Sequence, residues 1–346
     1  MKKILNFISI VFFSILAITC GDVKNEKQSP LLKVKAPLNH IILIASEKTW
    51  NTDFKAFVLD SLIQPRKGMF FSEPEFSIRQ FTTLKVAESY KNFPNYIMLS
   101  KGKEAIESKE DVFAQGQTVV TVSGENLQSI EKTLIENQTE IFTKFHQNDE
   151  KMWLAENSGK YHGSYPELDQ MSIFFRIPLS YIKVKKAKDF VHYQYDVSNK
   201  TRNRSANLTI ISKPYGLDSI ALEDIIGLRD LTGRKYIKSN VEGSYMETHH
   251  LLDNYLYSEI IKNTPNIIIY KISGMWSMKN DVKGGAFVNY TLIDKKQDKL
   301  FMFDGFTFVS SSGNTNNPSI FYRRDLLTEL EFIFNSYKIL NDTNEN

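Results

Sequence analysis

Carboxylate and imidazole side chains gather in one short segment of the chain, at Glu242, Glu247, His249, His250 and Asp253. These residue types bind metal ions and exchange protons with substrates. Neighbouring side chains of a strand point to opposite faces, so Glu247 and His249 share one side while His250 leaves it. Two side chains do not complete a metal site, and the spacing is not the HExxH pattern of zinc enzymes. We favour exposed strand-end residues here, with Glu247 and His249 as the catalytic candidates of the alternative interpretation.

Arg229 and Asp230 form a second candidate, because an arginine near a helix end can hold an anionic group. Gly233 and Arg234 follow within one turn. This pattern favours an ion pair between Arg229 and Asp230 and a glycine that ends the helix.

Aromatic residues could provide a platform for sugars, through Trp50, Trp153, Trp276, Tyr161 and Tyr165. Tryptophan is more often a half-buried anchor, which is the interpretation we favour. The sequence contains no glycine-rich phosphate loop after a predicted strand and no G-x-S-x-G elbow for a serine nucleophile. No metal or other cofactor is therefore predicted.

Cys20 is the single cysteine, and it follows a segment built like a bacterial export signal. Lys2 and Lys3 give a positive start, and residues 4–18 are almost entirely apolar. A helix needs about 20 residues to cross a bilayer, so this shorter run favours a cleaved signal. The order Ala17-Ile18-Thr19-Cys20 is typical of a lipoprotein cleavage site, after which the cysteine is lipidated.

Two residues depart from the usual lipoprotein pattern, since Leu16 sits one place too early and Thr19 is β-branched. An ordinary cleaved secretory signal and an uncleaved anchor are the alternatives. With Cys20 lipidated, no thiol remains for disulfides or for cysteine catalysis.

Charge is nearly balanced, with 43 Lys and Arg residues against 40 Asp and Glu residues. Binding of nucleic acid needs a strongly basic surface, so nucleic acid is not a predicted partner. The basic residues at 183–188 and 200–204 are predicted to be solvated charges in loops. A chain of 346 residues with 42% hydrophobic content is globular and long enough for two domains.

Four segments differ in composition and pattern. Residues 1–19 are the predicted lipoprotein signal, and residues 20–37 contain the lipidated cysteine and a flexible polar tether. Strands and helices alternate over residues 38–150, which predicts a small α/β domain. Strands dominate residues 165–341, which predicts an antiparallel sheet covered by helices. The fold class is therefore α+β.

The hydrophobic periodicity predicts the elements in more detail. In the first domain it predicts strands at 40–45, 76–81, 96–99 and 118–122, and helices at 52–65, at 84–90 and from 125 onward. In the second domain it predicts helices at 221–236 and 323–340, and strands at 172–177, 190–195, 206–212, 244–248, 266–273, 286–293 and 300–309. A polar turn at 294–298 joins the last two strands and is typical of a β-hairpin.

A family resemblance rests on six motifs, which are Gly227-Leu-Arg-Asp230, Glu242-Gly-Ser-Tyr-Met-Glu-Thr248, Gly274-Met-Trp276, Gly284-Gly-Ala-Phe-Val288, Asp304-Gly-Phe-Thr-Phe308 and Leu330-Glu-Phe-Ile333. By these motifs the chain resembles a family of Bacteroidetes lipoproteins described as a domain of unknown function. The resemblance implies an envelope lipoprotein and brings no activity, catalytic residue or ligand. The second half also resembles PsbP-type or Mog1-type sandwiches loosely, which implies nothing about function.

These observations predict a membrane-anchored envelope lipoprotein that serves as a non-catalytic binding or scaffolding module. Its expected partners are the membrane, through the lipid anchor, and an envelope protein or glycan. The segment Gly21-Asp22-Val23-Lys24 lacks the acidic cluster that marks surface export, which favours the periplasmic face of the outer membrane. The alternative function is a periplasmic hydrolase or metal-dependent enzyme that uses residues around 242–253.

Overall fold

The computed structural model describes residues 32–33, 37–70, 73–83, 90–163, 165–198, 203–250, 255–309 and 323–340. Cys20 and the export signal lie outside these ranges, as do most of the tether and most of the helix predicted at 84–90. Within the described ranges, no helix is long and apolar enough to cross a membrane. We call residues 32–163 the first unit and residues 165–340 the second unit.

The first unit combines a small sheet with helices. Its strands are β1 (Leu32–Lys33), β2 (His40–Ile44), β3 (Ser77–Phe81), β4 (Asn95–Lys101), β5 (Ala105–Glu110), β6 (Ala114–Gln115) and β7 (Thr118–Gly124). Its helices are α1 (Glu47–Trp50), α2 (Phe54–Phe57) with a π-helical turn (Val58–Leu62), α3 (Leu127–Glu136) and α4 (Gln138–Glu156). The main sheet has the strand order β3-β2-β4-β7-β5.

The sheet of the first unit is parallel except at one edge. β3, β2, β4 and β7 run parallel, and β5 pairs antiparallel with β7. The central strand β2 is a continuous aliphatic run in which Ile41, Ile42 and Leu43 are fully buried. A strand buried on both faces is typical of a parallel sheet, because helices and connecting segments cover both sides.

The helix predicted from residue 125 onward is two helices. Asn126 begins α3 with a capping box, since its side chain accepts from the Ser129 N–H and the Ser129 hydroxyl accepts from the Asn126 N–H. Asn137 separates α3 from α4, and its side-chain amide donates to the Thr133 carbonyl at 2.9 Å. This local hydrogen bond competes with the regular helical pattern, which explains the break.

The second unit is dominated by one large antiparallel sheet. Its strands are β8 (Ile173–Phe174), β9 (Ile182–Ala187), β10 (Phe190–Asp196), β11 (Arg204–Pro214), β12 (Tyr245–Thr248), β13 (Tyr257–Asn263), β14 (Ile267–Lys279), β15 (Gly284–Asp294), β16 (Lys299–Val309) and β17 (Lys338–Ile339). Its helices are α5 (Pro166–Gln170), α6 (Leu222–Tyr236) and α7 (Arg323–Asn335).

The large sheet has the order β12-β14-β15-β16-β11-β10-β9, and β13 also pairs with β14. Ile225 of α6 packs on one face of this sheet, whereas Leu326, Leu330 and Ile333 of α7 pack on the other. The predicted hairpin is present as β15 and β16. A small α/β sheet followed by an antiparallel sheet covered by helices confirms the predicted α+β fold class.

Several predictions about single segments are wrong. The lysine-rich segment predicted as a loop is mostly strand β9, and Arg204 is 3% exposed at the start of β11. The predictions omitted β5 and β13 because most of their side chains are exposed and carry little periodic signal. The helix predicted at 323–340 ends at Asn335, and the chain then forms β17.

Gly233 lies inside α6 and does not end it, which corrects the predicted helix stop. A Cβ atom on Gly233 would lie 2.2 Å from the backbone carbonyl oxygen of Met246 on β12. The missing side chain therefore allows α6 and β12 to approach closely. Gly227 on the same helix has no heavy atom within 4 Å of its ideal Cβ position.

These two glycines form a matched pair for a stability test. We expect Gly233→Ala to lower the free energy of unfolding by about 2 kcal/mol or more, because backbone must move to accept the methyl group. Gly227→Ala should raise it by about 0.5–1 kcal/mol, because alanine is the better helix former. Urea denaturation followed by circular dichroism measures both. Equal effects of the two substitutions would contradict the packing argument.

Candidate functional site

The structure places the predicted catalytic candidates at the edge of the large sheet. Glu247 is half-buried on β12, and His249 follows this strand with its backbone N–H donating to the Met275 carbonyl at 2.8 Å. No hydrogen bond or ion pair joins Glu247 to His249, both of which lie in the described part of the chain. Glu242 is exposed in a turn, and Asp253 lies outside the described residues. The catalytic role of Glu247 and His249 stays a prediction.

His250, rather than His249, meets a carboxylate. Its Nε2 atom lies 3.1 Å from Oδ2 of Asp230 on α6, and the imidazole side chain is 57% exposed. The other oxygen of Asp230 accepts hydrogen bonds from the Thr248 N–H at 2.7 Å and the Thr248 hydroxyl at 2.8 Å. An exposed imidazole oriented by a fixed carboxylate is suited to proton transfer. Pattern analysis missed this pair because the two residues are 20 positions apart.

Among the described residues, no group of three or more His, Cys, Asp and Glu side chains is close enough to hold a metal ion.

Arg229 points into the core of the second unit and is 1% exposed. Its Nε donates to Oδ1 of Asp304 at 2.8 Å, and its Nη1 donates to the Thr248 hydroxyl at 3.0 Å. The guanidinium carbon lies 3.7 Å from the ring centre of Phe287, within cation–π distance. The expected ion pair with Asp230 is present but longer, at 3.8 Å. Because its partners are internal, Arg229 does not hold an external anion.

Four of the six sequence motifs meet at this guanidinium. They contribute Arg229, Thr248, Phe287 and Asp304. A buried arginine that binds a carboxylate on the sheet fixes the position of the helix on which it lies. At these four positions, the motifs that carry the family resemblance therefore fix α6 to the sheet.

Asp304 belongs to a row of buried polar residues that crosses four strands. Cross-strand pairing places His192 beside Thr209, Thr209 beside Asp304, and Asp304 beside Asn289. The Asn289 side-chain amide donates to Oδ1 of Asp304 at 3.2 Å. Burial lowers the pKa of His192 to about 4, although a hydrogen bond with Asn207 opposes this shift. The His192 imidazole is therefore neutral near pH 7, and it adds no charge to the row.

A buried charge cluster joins the two units. Arg66 of the first unit is 6% exposed, and its Nη2 lies 2.7 Å from Oε2 of Glu331 on α7. Its Nη1 donates to the Thr328 hydroxyl at 2.8 Å. Lys271 of β14 approaches the other oxygen of Glu331 at 2.9 Å. Each oxygen of the Glu331 carboxylate is thus paired with a cation. Arg66 comes from the first unit, and Lys271 comes from the second.

Glu75 and His146 extend this cluster within the first unit. The Nε2 atom of His146 lies 2.8 Å from Oε1 of Glu75. Burial alone would raise the pKa of Glu75, but the charge of Arg66 and the hydrogen bond from His146 lower it to about 2. For Glu331, burial is likewise outweighed by Arg66 and Lys271, which lower its pKa to about 2. Both carboxylates are ionised in the folded protein near neutral pH.

Asn39 connects α4 of the first unit to α7 of the second. Its backbone N–H donates to Oδ2 of Asp149 at 2.8 Å, and its side-chain amide donates to Asp325 at 2.8 Å and Thr328 at 3.1 Å. Its φ angle is +58°, a conformation that asparagine adopts more readily than most residues. Burial raises the pKa of Asp149 to about 6, although hydrogen bonds from Asn39 and Asn95 oppose the shift.

Glu73 fixes the start of α7. Its two carboxylate oxygens accept hydrogen bonds from the Arg323 side chain at 3.1 Å and from the Arg324 backbone N–H at 2.9 Å. A carboxylate at a helix N-terminus also interacts favourably with the helix dipole. The Arg324 side chain is fully buried and donates to the Pro74 carbonyl at 2.7 Å. Together with the Arg66 cluster, these contacts bury α7 between the two units.

The interpretation of the aromatic residues as anchors, favoured over a sugar platform, is confirmed for three of the five residues. Trp153, Trp276 and Tyr165 are buried, at 6%, 3% and 3% exposure. Trp276 Nε1 donates to the Thr307 carbonyl at 3.1 Å, as expected for a structural anchor. Trp50 is half-buried against the core of the first unit.

Comparison with protein families matches both halves of the chain. A family model described as "Domain of unknown function (DUF4837)" matches residues 167–336, and one described as "Domain of unknown function (DUF8532)" matches residues 35–157. Two domains of unknown function therefore cover most of the chain, which confirms this part of the predicted resemblance. No curated protein matches the chain significantly.

Solved structures resemble the chain remotely. The Ran-binding protein Mog1p of Saccharomyces cerevisiae shares 10% identity over 49% of this chain and 91% of its own, with a TM-score of 0.28. A mutant of the protein Mog1 shares 9% identity over 50% of this chain and 93% of its own, also with a TM-score of 0.28. A similarity at this level supports no argument about this chain.

The charge cluster generates a prediction for acid stability. The pKa of Glu331 is about 2 in the folded protein, well below the 4.5 of an ordinary glutamate side chain. A lowered pKa contributes stability that is present above pH 4.5 and is lost as the pH falls towards 2, by about 3 kcal/mol over this window. Glu331→Gln should lower the free energy of unfolding at pH 7 by about 3 kcal/mol and remove this part of the acid dependence.

Chemical denaturation at a series of pH values between 2 and 7 measures this effect. Glu136→Gln is the matched control, because the Glu136 side chain is 60% exposed on α3. The control should keep the wild-type stability within about 0.5 kcal/mol. A Glu331→Gln protein with wild-type stability and acid profile would contradict the proposed role of the cluster.

Proposed function

We propose that this protein is a membrane-anchored lipoprotein of the bacterial cell envelope whose folded part is a non-catalytic binding or scaffolding module. The buried junction carries the scaffold assignment. Charged side chains of both units, such as Arg66 and Glu331, hold the units against each other. Two units fixed in this way present one constant surface to a partner, which is what a scaffold requires.

The anchor is argued from the sequence. The predicted export signal covers residues 1–19, and a polar segment separates Cys20 from β1. Strand β1 lies within the predicted tether and pairs with β6, so the reach is set by residues 21–31, which span at most about 36–40 Å when fully extended. Lipid attached to Cys20 would therefore hold the folded part close to one membrane while leaving it free to turn.

The residues after the proposed lipidated cysteine support a location within the envelope. The segment from Gly21 to Lys24 has one acidic residue, Asp22, and no acidic cluster. This composition supports the periplasmic face of the outer membrane, and the family resemblance supports an envelope of the Bacteroidetes type. An envelope protein or a glycan is the partner we expect there.

Metabolic labelling tests the anchor. When cells that express the full chain are grown with radioactive palmitate, the chain isolated with an antibody should carry the label, and Cys20→Ala should remove it, because the chain has no other thiol. Globomycin should cause the unprocessed precursor to accumulate. Ser14→Ala, a change within the apolar run, is the control and should keep the label. An unlabelled wild-type protein with normal processing would contradict lipidation.

A second candidate function, a periplasmic hydrolase, is supported by the Asp230–His250 pair. The exposed imidazole of His250 and its fixed carboxylate are arranged as a base and its orienting group. The predicted candidates Glu247 and His249 lie beside this pair in sequence. If the protein is a hydrolase, its activity in the cell requires either the Asp230–His250 pair or the pair of Glu247 and His249.

Complementation of a deletion strain separates the two functions. Under the scaffold proposal, His250→Ala and the double variant Glu247→Ala with His249→Ala should restore the wild-type phenotype when present at the wild-type level, as measured by immunoblot. Loss of complementation by a stable, correctly processed variant would support the hydrolase and contradict the scaffold proposal. His162→Ala is the control, because His162 is far from β12 in the sequence.

A further inference from the structure

Acidic side chains of the first unit face acidic side chains of the second where α4 meets α7. The packing of Trp153 on Phe332, with ring centres 5.9 Å apart, marks this contact. Three carboxyl groups of each helix lie along it, and they face each other as Asp149 and Asp325, Glu150 and Glu331, and Glu156 and Glu329. Like charges across an interface repel each other when both groups are ionised. Protonation of these groups therefore affects how firmly the two units hold together.

Two of the carboxyl groups on α7 are paired with cations. Glu331 pairs with Arg66 and Lys271, as described above, and Asp325 pairs with Nε of Arg324 at 2.9 Å. The third group on α7, Glu329, forms no ion pair within the ranges that the structure describes. The facing groups on α4 lack a cation as well, which makes this contact unlike the neighbouring Arg66 cluster.

Asp149 on α4 is the most enclosed of these groups, because its residue has no exposed surface. Its two oxygens accept hydrogen bonds from amide groups, the Asn39 backbone N–H at 2.8 Å and the Asn95 side chain at 2.9 Å. The titratable groups that act on it are His146 of its own helix and Asp325 of α7, with opposite effects. Among the described residues Asp149 has no ion pair, so its ionised form loses water without gaining a cation.

Glu329 is the corresponding group on α7. Its carboxyl group faces the buried hydroxyl of Tyr181 and the carboxyl group of Glu156 at the end of α4, and Tyr195 lies close by. Burial raises the pKa of Glu329 to about 7, against the effect of the Tyr181 hydroxyl and with that of Glu156. Since the pKa of Asp149 is about 6, both groups lose their protons between pH 5 and pH 8.

We propose that the α4–α7 contact is a pH-sensitive latch between the two units. When Asp149 and Glu329 are protonated, α4 and α7 pack closely without charge repulsion. When both protons are lost, the contact contains two negative charges without ion pairs, and openings of the contact become more frequent. This inference concerns the folded part alone and holds whether or not Cys20 is lipidated.

The direction of the effect follows from proton binding. A carboxyl group with a higher pKa in the closed contact holds its proton more tightly there, so a rise in pH favours opening. For Asp149, the pKa is about 6 in the closed contact and 3.8 in an ordinary aspartate. This difference alone should raise the opening equilibrium about tenfold between pH 5 and pH 8. Glu75 and Glu331 do not titrate in this window, because the pKa of each is about 2.

Two histidines act in the opposite direction and determine the choice of measurement. Burial lowers the pKa of His40, and it lowers the pKa of His192 to about 4. A histidine with a lowered pKa stabilises the folded protein as the pH rises through this range. Global unfolding therefore combines opposing effects, and the latch requires a local measurement.

Hydrogen exchange of the full chain, measured by mass spectrometry at pH 5, 6, 7 and 8, reports the latch locally. Exchange rates are divided by the intrinsic rate at each pH, which gives protection factors. Peptides from α7 cover the latch, and peptides from β11 serve as the internal reference. We expect protection of α7 to fall about tenfold or more from pH 5 to pH 8, whereas protection of β11 should not fall.

The double variant Asp149→Asn and Glu329→Gln tests the two groups directly. Each amide resembles the protonated carboxyl group in shape and carries no charge, so the fall in α7 protection should disappear. Glu329→Gln alone changes the less buried position and should reduce the fall even where the double variant does not fold. Glu140→Gln is the matched control on α4, because the Glu140 side chain is 61% exposed, and it should keep the wild-type pH dependence.

Three results would overturn the latch. The first is the same pH dependence of α7 protection in the wild type and in the variants at Asp149 and Glu329. The second is an equal fall of protection in β11, because the whole protein would then be opening. The third is loss of the pH dependence in the Glu140→Gln control, since removal of any carboxylate would then suffice.

Discussion

The arrangement of the two units depends on the buried cluster of Arg66, Glu331 and Lys271. A buried charge without a partner lowers the free energy of unfolding. Removing one member of a buried ion pair therefore destabilises the folded protein. Arg66 comes from the first unit, and Glu331 lies on α7 of the second. Separating the units would break the Arg66–Glu331 ion pair and leave Glu331 with Lys271 alone. The surrounding contacts of Asn39, Glu73 and Arg324 reinforce the same helix.

A second buried arginine fixes a helix to the sheet inside the second unit. Arg229 binds Asp304 and Thr248 and covers the ring of Phe287, so α6 is fixed to the sheet by polar and aromatic contacts together. The planar guanidinium can satisfy several partners at once, which suits it to this role. Residues that resemble an anion site in the sequence therefore serve the fold. Chemistry-bearing residue types are not in themselves evidence of catalysis.

Local signals in the sequence were sufficient for much of the fold. The continuous aliphatic run of β2 and the long strands of the β15–β16 hairpin predicted buried strands, and the α+β class followed from them. Prediction failed where local signals were weak or competed. Strand β9 has exposed residues throughout, and Asn137 divides the helix from residue 125 onward through its own hydrogen bond to Thr133.

The candidate sites were less predictable, because they depend on contacts between distant residues. Glu247 and His249 are close in sequence but not bonded to each other, whereas His250 meets Asp230 across 20 positions. Arg66 and Thr328 are 262 residues apart and are joined at the junction. The sequence by itself determined the export signal pattern, the element types and the fold class, since these follow from local composition and periodicity. The tertiary structure alone decided which charges are buried and paired and which remain on the surface, because packing brings distant segments together.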